Sequence, residues 1–588
     1  MRQAGKWVAG LAVVLWGLGQ ISGALAAQTA ASPGDILASP TVVVSPAKKP
    51  VGVEAGVTGE MLKAGTSDAS KWLMYGGDYK NFRHSPIKAL TPDAAKKLKV
   101  AWSFPTGTLG QFETSPVIYG GVMYVTTSHS RLMALDAKTG ELLWRYDYAL
   151  PNDLRVCCGP VNRGVAISGD LLFWVTLDAH LLVVERRTGN VKWDIEIVPF
   201  QDGFSSTSAP LIVGDKVITG VAGGEYGVRG FFDAYDSATG KRLWRHYTVP
   251  AEGEPGVETW AGDSYKTGGS PTWTTGAYDV ETDTLFWTTG NPSPDWNGDL
   301  REGDNLYSNS ILAVDPNTGA RKWHYQFTPH DVWDYDGNSH IFLVDIEIDG
   351  KPVKAVAQPN RNGFFYVLDR TNGKFLFAKQ YSEQLNWAKG VDETGRPIVD
   401  TGAMPQEKPT MRVCPGNMGG LNGAWAAAYS PLTKLAYVPS IEGCQHYSKG
   451  IVVSVKGIPL LGGMPTPLDV IAGKDYGILS AIDVATGEIK WRYQDPDPMM
   501  AGALSTAGGV VFSSTLDGHA LALDAATGKE LWRFRMGGSG RGQPVAYEVD
   551  GKSYVAIPSG GWVAITALSG GPLNIPEGGQ LFVFTVDE

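Results

Sequence analysis

The sequence predicts an all-β chain folded as an eight-bladed β-propeller whose blades dock through tryptophans. Three observations carry that expectation. The chain has 588 residues, more than one ordinary hydrophobic core supports, so it is either several domains or one repetitive architecture. It holds 74 Gly and 19 Trp, a composition of turns and strands and not of long helices. Finally, seven segments share the pattern apolar–x–Asp–x–x–Thr–Gly–x–x–x–Trp: "ALDAKTGELLW" ending at Trp144, "VVERRTGNVKW" at Trp193, "AYDSATGKRLW" at Trp244, "AVDPNTGARKW" at Trp323, "VLDRTNGKFLF" with Phe377 in the Trp slot, "AIDVATGEIKW" at Trp491 and "ALDAATGKELW" at Trp532.

Each repeat has a physical basis. In Asp-x-x-Thr-Gly the Asp caps a turn and the Gly takes the left-handed conformation. The flanks, such as "VMYVTT" and "LLFWVTL", are β-branched or alternate apolar with polar, so they are strands. Spacings of 49, 51 and 54 residues suit four short strands per blade, and the Trp is placed to wedge between neighbours. One gap, from Phe377 to Trp491, is 114 residues, about two periods. A degenerate repeat is therefore expected near "AAAYSPLTKLAYVP", making eight units. A repetitive sandwich array is the alternative; eight copies closing into a ring leave no exposed edges. The long inserts before Trp323 and Trp491 should form loops on one face, where a site would be built.

The ends and the composition narrow the class further. Arg2 and Lys6 precede an apolar run from Trp7 to Leu18, followed by "SGALAAQTA", the pattern of a secretory signal cut near Ala26 or Ala27. Residues 1–26 are read as the leader, 27–65 as a flexible N-terminal segment and 66–588 as the propeller. The protein is then periplasmic, and an oxidising compartment makes its four cysteines candidates for disulfides. With 50 Lys and Arg against 60 Asp and Glu, the net charge is −10, which argues against a nucleic-acid partner. Past the leader no apolar stretch is long enough to span a membrane.

Chemistry lies between the repeats. In "RVCCGPVNRG" the adjacent Cys157 and Cys158 either close a ring together, with Cys414 pairing to Cys444, or each bridges to one of those two. In "HDVWDYDG" Asp331, Asp334 and Asp336 are interleaved with aromatics. Asp334 and Asp336 are two apart and would face one side of an extended strand, where two carboxylates repel unless a cation sits between them. A solvated acidic turn is the bland alternative; a helix–loop–helix Ca²⁺ loop fails because its first position falls on Val332. "GGEYGVRG" offers Glu225 and Arg229, and "GNPSPDWNG" places Asn291 before a proline. Glu, Asn and Asp together are the oxygen ligands of a hard cation.

These four segments, in this order within such repeats, resemble the pyrroloquinoline quinone (PQQ)-dependent methanol/ethanol dehydrogenase family, from "WLMYGGDYKNFRHSPI" to the C-terminus. The resemblance implies a Cys157–Cys158 ring on one face of PQQ and Trp273 on the other. It implies cofactor contacts from Arg163, Glu113, Thr207 and Asn422, with Arg361 at the reactive quinone carbonyl. Glu225, Asn291 and Asp334 are implied as metal ligands, with Asp336 added. In the family this resembles, Ca²⁺-using members usually have a small uncharged residue at that last position and lanthanide-dependent members have Asp, so a lanthanide is expected ahead of Ca²⁺. Asp334 would act as general base and Arg361 would stabilise charge while a primary alcohol passes a hydride to metal-activated PQQ.

Departures from the family pattern bear on the substrate. Ala222 stands where methanol oxidisers commonly have Ser, "CCGPVN" lacks the Asp that often follows the cysteines, and "GGLNGAWAAAYSP" is one residue longer around Asn422. A broader primary-alcohol range is expected. No Cys-x-x-Cys-His occurs, so electrons should leave to a separate soluble cytochrome c; assembly as a homodimer is left open. The rival functions are a sugar or polyol dehydrogenase of the quinoprotein type and a non-catalytic propeller scaffold.

Overall fold

The computed structural model describes residues 41–44, 53–469, 476–561 and 574–586; the expected leader lies outside them. Among these residues the strands assemble into eight four-stranded antiparallel sheets, the blades of a propeller. Blade 1 is Val117–Tyr119, Val122–Thr127, Arg131–Asp136 and Leu142–Asp147, paired in sequence order. Blades 2 to 7 repeat that plan over 166–196, 211–247, 277–326, 342–380, 428–495 and 504–535. First strands are largely buried, wholly so in Val117–Tyr119, whereas fourth strands such as Val191–Glu196 alternate exposed and half-buried positions. The order therefore runs from the ring's axis outward.

Eight blades are present, but the eighth is not the repeat expected near "AAAYSPLTKLAYVP". That segment supplies Ala428–Tyr429 and Leu435–Ile441, the two inner strands of the Trp491 blade. The gap is long because it also holds two small hairpins, Ala388–Val391 with Pro397–Val399 and Tyr447–Lys449 with Gly463–Pro465. Blade 8 joins the two ends of the chain. Val545–Val549, Lys552–Ser559 and Gln580–Thr585 form its first three strands, and Lys99–Pro105 pairs with Gln580–Thr585 as the fourth. The ring is thus closed by main-chain hydrogen bonds, which removes two free sheet edges.

Neighbouring blades dock as the repeat predicts. Asp524 Oδ1 accepts from Ala526 N at 3.0 Å and Thr527 N at 2.9 Å, and Gly528 N donates to Asp524 O at 2.8 Å. Gly528 has φ +73°, and a Cβ on it would lie 2.4 Å from Trp491 of the preceding blade. The Trp491 indole N–H donates to Ala525 O at 3.2 Å. The same stacking joins Gly140 to Trp102, so blade 8 docks onto blade 1 with a tryptophan outside the seven repeats.

Folded structure begins ahead of residue 66, the boundary drawn from sequence. Thr41–Val44 pairs along the outer edge of blade 1, Val57 bridges Gly169, and helix Gly59–Ala64 is capped by Thr58 Oγ1, which accepts from Met61 N at 3.3 Å. Covering an otherwise open edge gives this lead-in a reason to order. No helix among the described residues is long and apolar enough to cross a membrane.

The strand order fixes two faces. In an antiparallel blade the turn between strands three and four, which carries Asp-x-x-Thr-Gly, lies on one face. Connections between strands two and three, and from one blade to the next, lie on the other. All expected site residues fall in the latter two classes of loop.

The docking contact can be tested at glycine. Gly551 shares the left-handed backbone (φ +75°) but has open space where a Cβ would go. Gly551→Ala should cost about 1–2 kcal/mol of backbone strain, and Gly528→Ala about 1–3 kcal/mol more through overlap with Trp491, read from denaturant midpoints. Equal losses would refute the docking role.

Candidate active site

Two loops on that face bring arginines to one carboxylate carried by a third. Glu113, between the strand Lys99–Pro105 and blade 1, is buried. Its Oε2 accepts from Arg163 Nη2 at 2.8 Å and its Oε1 from Arg541 Nη2 at 3.1 Å. Arg163 Nη1 also donates to Thr207 Oγ1 at 2.8 Å, and the Arg163 guanidinium lies 4.9 Å from the Trp273 ring centroid. Gln111 side-chain oxygen accepts from Arg541 and its amide donates to Cys158 O. Two guanidiniums against one carboxylate leave an excess positive charge, and the Nε atoms of Arg163 and Arg541 are buried without a partner.

Cys157 and Cys158 are joined to each other, and Cys414 to Cys444, which settles the pairing left open by sequence. The adjacent pair is exposed, with sulfurs and a Glu225 carboxylate oxygen all within 4.8 Å of one another. Disulfide sulfurs are not thiolates, so a hard cation here would be served by oxygen alone. The loop bearing Asn422 reaches the same region: a Cβ on Gly423 would lie 2.8 Å from the Trp273 ring. Asn422 Oδ1 itself accepts from Ala424 N at 3.0 Å, capping its own turn.

The acidic cluster forms opposite. Glu225 sits in a single 3₁₀ turn, Gly224–Tyr226. Asn291 lies between the second and third strands of blade 4, and its N–H donates to Asp336 Oδ1 at 2.8 Å. Arg361 reaches Asp334 Oδ2 at 3.2 Å and Asp336 Oδ2 at 3.4 Å. Asp334 and Asp336 do not share a strand face as expected. The stretch around them is irregular, with φ +61° at Asp334 and +55° at Asp336, a left-handed backbone that Asp tolerates better than most residues. Arg361, not strand alternation, gathers the two carboxylates.

Burial pushes these acids up. Desolvation raises Glu225 to about 7, with repulsion from Asp334 next. It raises Asp334 to about 8, against the pull of Arg361 and with repulsion from Asp336. It raises Asp336 to about 7, again against Arg361 and with repulsion from Glu225. One guanidinium does not offset three carboxylates in so dry a place, so the cluster either holds protons or needs a cation.

Residues 72–383 match the family described as glucose/ethanol/alcohol dehydrogenase, beta-propeller domain. The chain belongs to the PQQ-dependent alcohol dehydrogenase family. It is an oxidoreductase, similar to the quinoprotein alcohol dehydrogenase PedH of Pseudomonas putida, 40% identical over 90% of this chain and 93% of that one. A lanthanide-dependent methanol dehydrogenase of Methylacidiphilum fumariolicum is 35% identical over 88% of this chain and 90% of its own. Among solved structures, a europium-containing methanol dehydrogenase superposes with a TM-score of 0.85 at 33% identity, covering 90% of this chain and 100% of that chain. Residues 441–575 also match the family described as outer membrane protein assembly factor BamB.

The residues present fit the groups this family implies. The unpartnered guanidinium N–H groups and excess positive charge at Glu113 suit an anionic quinone. The all-oxygen, undercompensated cluster suits a hard cation. Sequence reasoning missed Arg541, the lone charged residue of "GGSGRGQP", and Asn417, whose Nδ2 donates to Asp334 Oδ2 at 3.3 Å. It also missed Asp295, four residues after Asn291 and hydrogen-bonded to it at 2.9 Å.

Glu113 is the common partner of two buried cations. Glu113→Ala should destabilise the cofactor-free protein by about 3–5 kcal/mol, since it leaves both without a counter-charge. A loss under about 1 kcal/mol in thermal or denaturant unfolding would refute the coupling.

Proposed function

We propose that the chain oxidises primary alcohols to aldehydes in the periplasm and passes the electrons to a soluble cytochrome c. The observation that carries this reading is the pair Asp334 and Asp336 gathered by Arg361, with Glu225 close enough to repel Asp334 and within 4.8 Å of the Cys157–Cys158 sulfurs. Arg163, Glu113, Thr207 and Arg541 would hold PQQ at its carboxylates, between the cysteine ring and Trp273, with Asn422 at its rim. Glu225, Asn291, Asp334 and Asp336 would hold the metal, a lanthanide in preference to Ca²⁺, because a trivalent ion gains more from a further carboxylate. Once bound, the metal-polarised quinone supplies a two-electron hydride acceptor.

The chain's own residues do the rest. Asp334, as its carboxylate, takes the proton of the substrate hydroxyl. Asn417 Nδ2 and Arg361 hold that carboxylate in place. Arg361 also presents positive charge where negative charge would grow on the acceptor. The similarity to PedH and to a methanol dehydrogenase named as lanthanide-dependent supports both the substrate class and the metal.

Reconstitution with PQQ plus either La³⁺ or Ca²⁺, assayed over a series of alcohols with a dye acceptor, tests the whole reading; inactivity with every combination would overturn it. Asp334→Asn should lower kcat by about 10²–10⁴-fold while PQQ, measured by absorbance after release, stays bound. Full activity in that variant would remove Asp334 as the base. Asp336→Ala should lose La³⁺-supported turnover while keeping its yield and melting temperature, and an unchanged La³⁺ response would count against the lanthanide.

A further inference from the structure

Asp295 lies outside the ligand set above, although it shares a loop with Asn291. Its side chain is 1% exposed. Asp295 Oδ1 accepts from Asn291 Nδ2 at 2.9 Å, and Oδ2 is buried without a hydrogen-bond partner. An amide has one donor end and one acceptor end. By taking the donor end, Asp295 decides which way the Asn291 oxygen points. That oxygen lies against the turn bearing Glu225: a Cβ on Gly224 would be 2.9 Å from it.

The neighbouring guanidinium does not neutralise this carboxylate. Arg301 is buried beside it, but Nε donates to Pro294 O at 3.0 Å and Nη1 to Asn305 Oδ1 at 2.7 Å. Nη2 donates to Asp331 O at 2.5 Å and to the backbone oxygen of Asp295 at 3.3 Å. Every hydrogen-bond partner of Arg301 among the described residues is a neutral oxygen, and the carboxylate of Asp295 has no ion pair among them. Counting Asp331, five carboxylates stand against the guanidiniums of Arg301 and Arg361, a formal −3 when all are ionised.

We propose that Asp295 is a positioning residue of the cation site: it holds Asn291 with its oxygen toward the ion, and its unpaired carboxylate adds charge that favours a trivalent over a divalent ion. This rests on the metal site of the preceding subsection. Burial, then repulsion from Glu225 and Asp334, holds the free Asp295 carboxyl well above the usual carboxylate range, so its charge is expressed when a cation binds; a carboxylate within several ångströms of an ion, at an effective dielectric of about 20, favours each extra unit of ion charge by about tenfold or more. Charge is therefore the variable to remove, and shape the one to keep.

Full-length protein with PQQ bound is stripped with a chelator and titrated with La³⁺ and with Ca²⁺ by calorimetry. Asp295→Asn keeps an acceptor for Asn291 and removes the charge. It should weaken La³⁺ about tenfold or more and Ca²⁺ by a smaller factor, so that the La³⁺ to Ca²⁺ affinity ratio falls. Asp295→Glu, which keeps the charge, should retain most of the ratio. Asp295→Ser removes the charge by another route should the Asn variant fold poorly. Loss of both affinities by one factor, or an unmoved ratio, overturns the inference. Failure of the unaltered protein to bind either ion would instead overturn the metal site itself, and this inference with it.

Discussion

Ring closure is the constraint on which the other features depend. Lys99–Pro105 pairs with Gln580–Thr585, and Trp102 of that same strand stacks on Gly140 of blade 1. Without those two contacts the eight sheets would be an open arc with two edges, and loops from blades 8, 1, 2, 3, 4 and 5 would have no common axis to meet at. Glu113, Arg163 and Arg541 come from three different inter-blade connections, yet one carboxylate binds both cations. A hydrogen-bonded ring makes such distant loops neighbours, and rigid sheets beneath hold them there.

The second constraint is electrostatic. The centre collects acids that a folded chain would ordinarily keep in water, and burial lifts Glu225, Asp334 and Asp336 toward neutrality. Such a site is costly for the protein alone. Its cost is intelligible if a cation repays the desolvation, as the all-oxygen donor set suggests. The arginine side of the site has the opposite imbalance, suited to an anion. The two imbalances, positive at Arg163 and Arg541 and negative at Asp334 and Asp336, are of opposite sign.

Much of this was legible in the sequence because it is written locally. Asp524, Thr527 and Gly528 encode a turn within five residues, and Trp491 encodes a contact at a fixed offset, so blades could be counted. The eighth was misplaced because its fourth strand precedes its first by more than 400 residues and Trp102 follows no Thr-Gly turn. Among the site residues, Glu225, Asn291, Asp334 and Asp336 stand in segments dense enough in acid, amide and glycine to be noticed. How the last two converge was not legible, since it depends on Arg361 and a left-handed backbone and not on strand alternation. Arg541 and Asp295 escaped for a similar reason: a single arginine among glycines, or an aspartate behind a proline, acquires meaning only from a partner far away or from burial.

The clasp between the strand near residue 100 and the last strand has a temporal meaning as well. A ribosome releases Glu113 long before it releases Arg541 or Gln580, so no nascent fragment holds a finished centre. Maturation of this centre is therefore an end-of-chain event, and any cofactor or ion it takes would be acquired only where the completed polypeptide closes on itself.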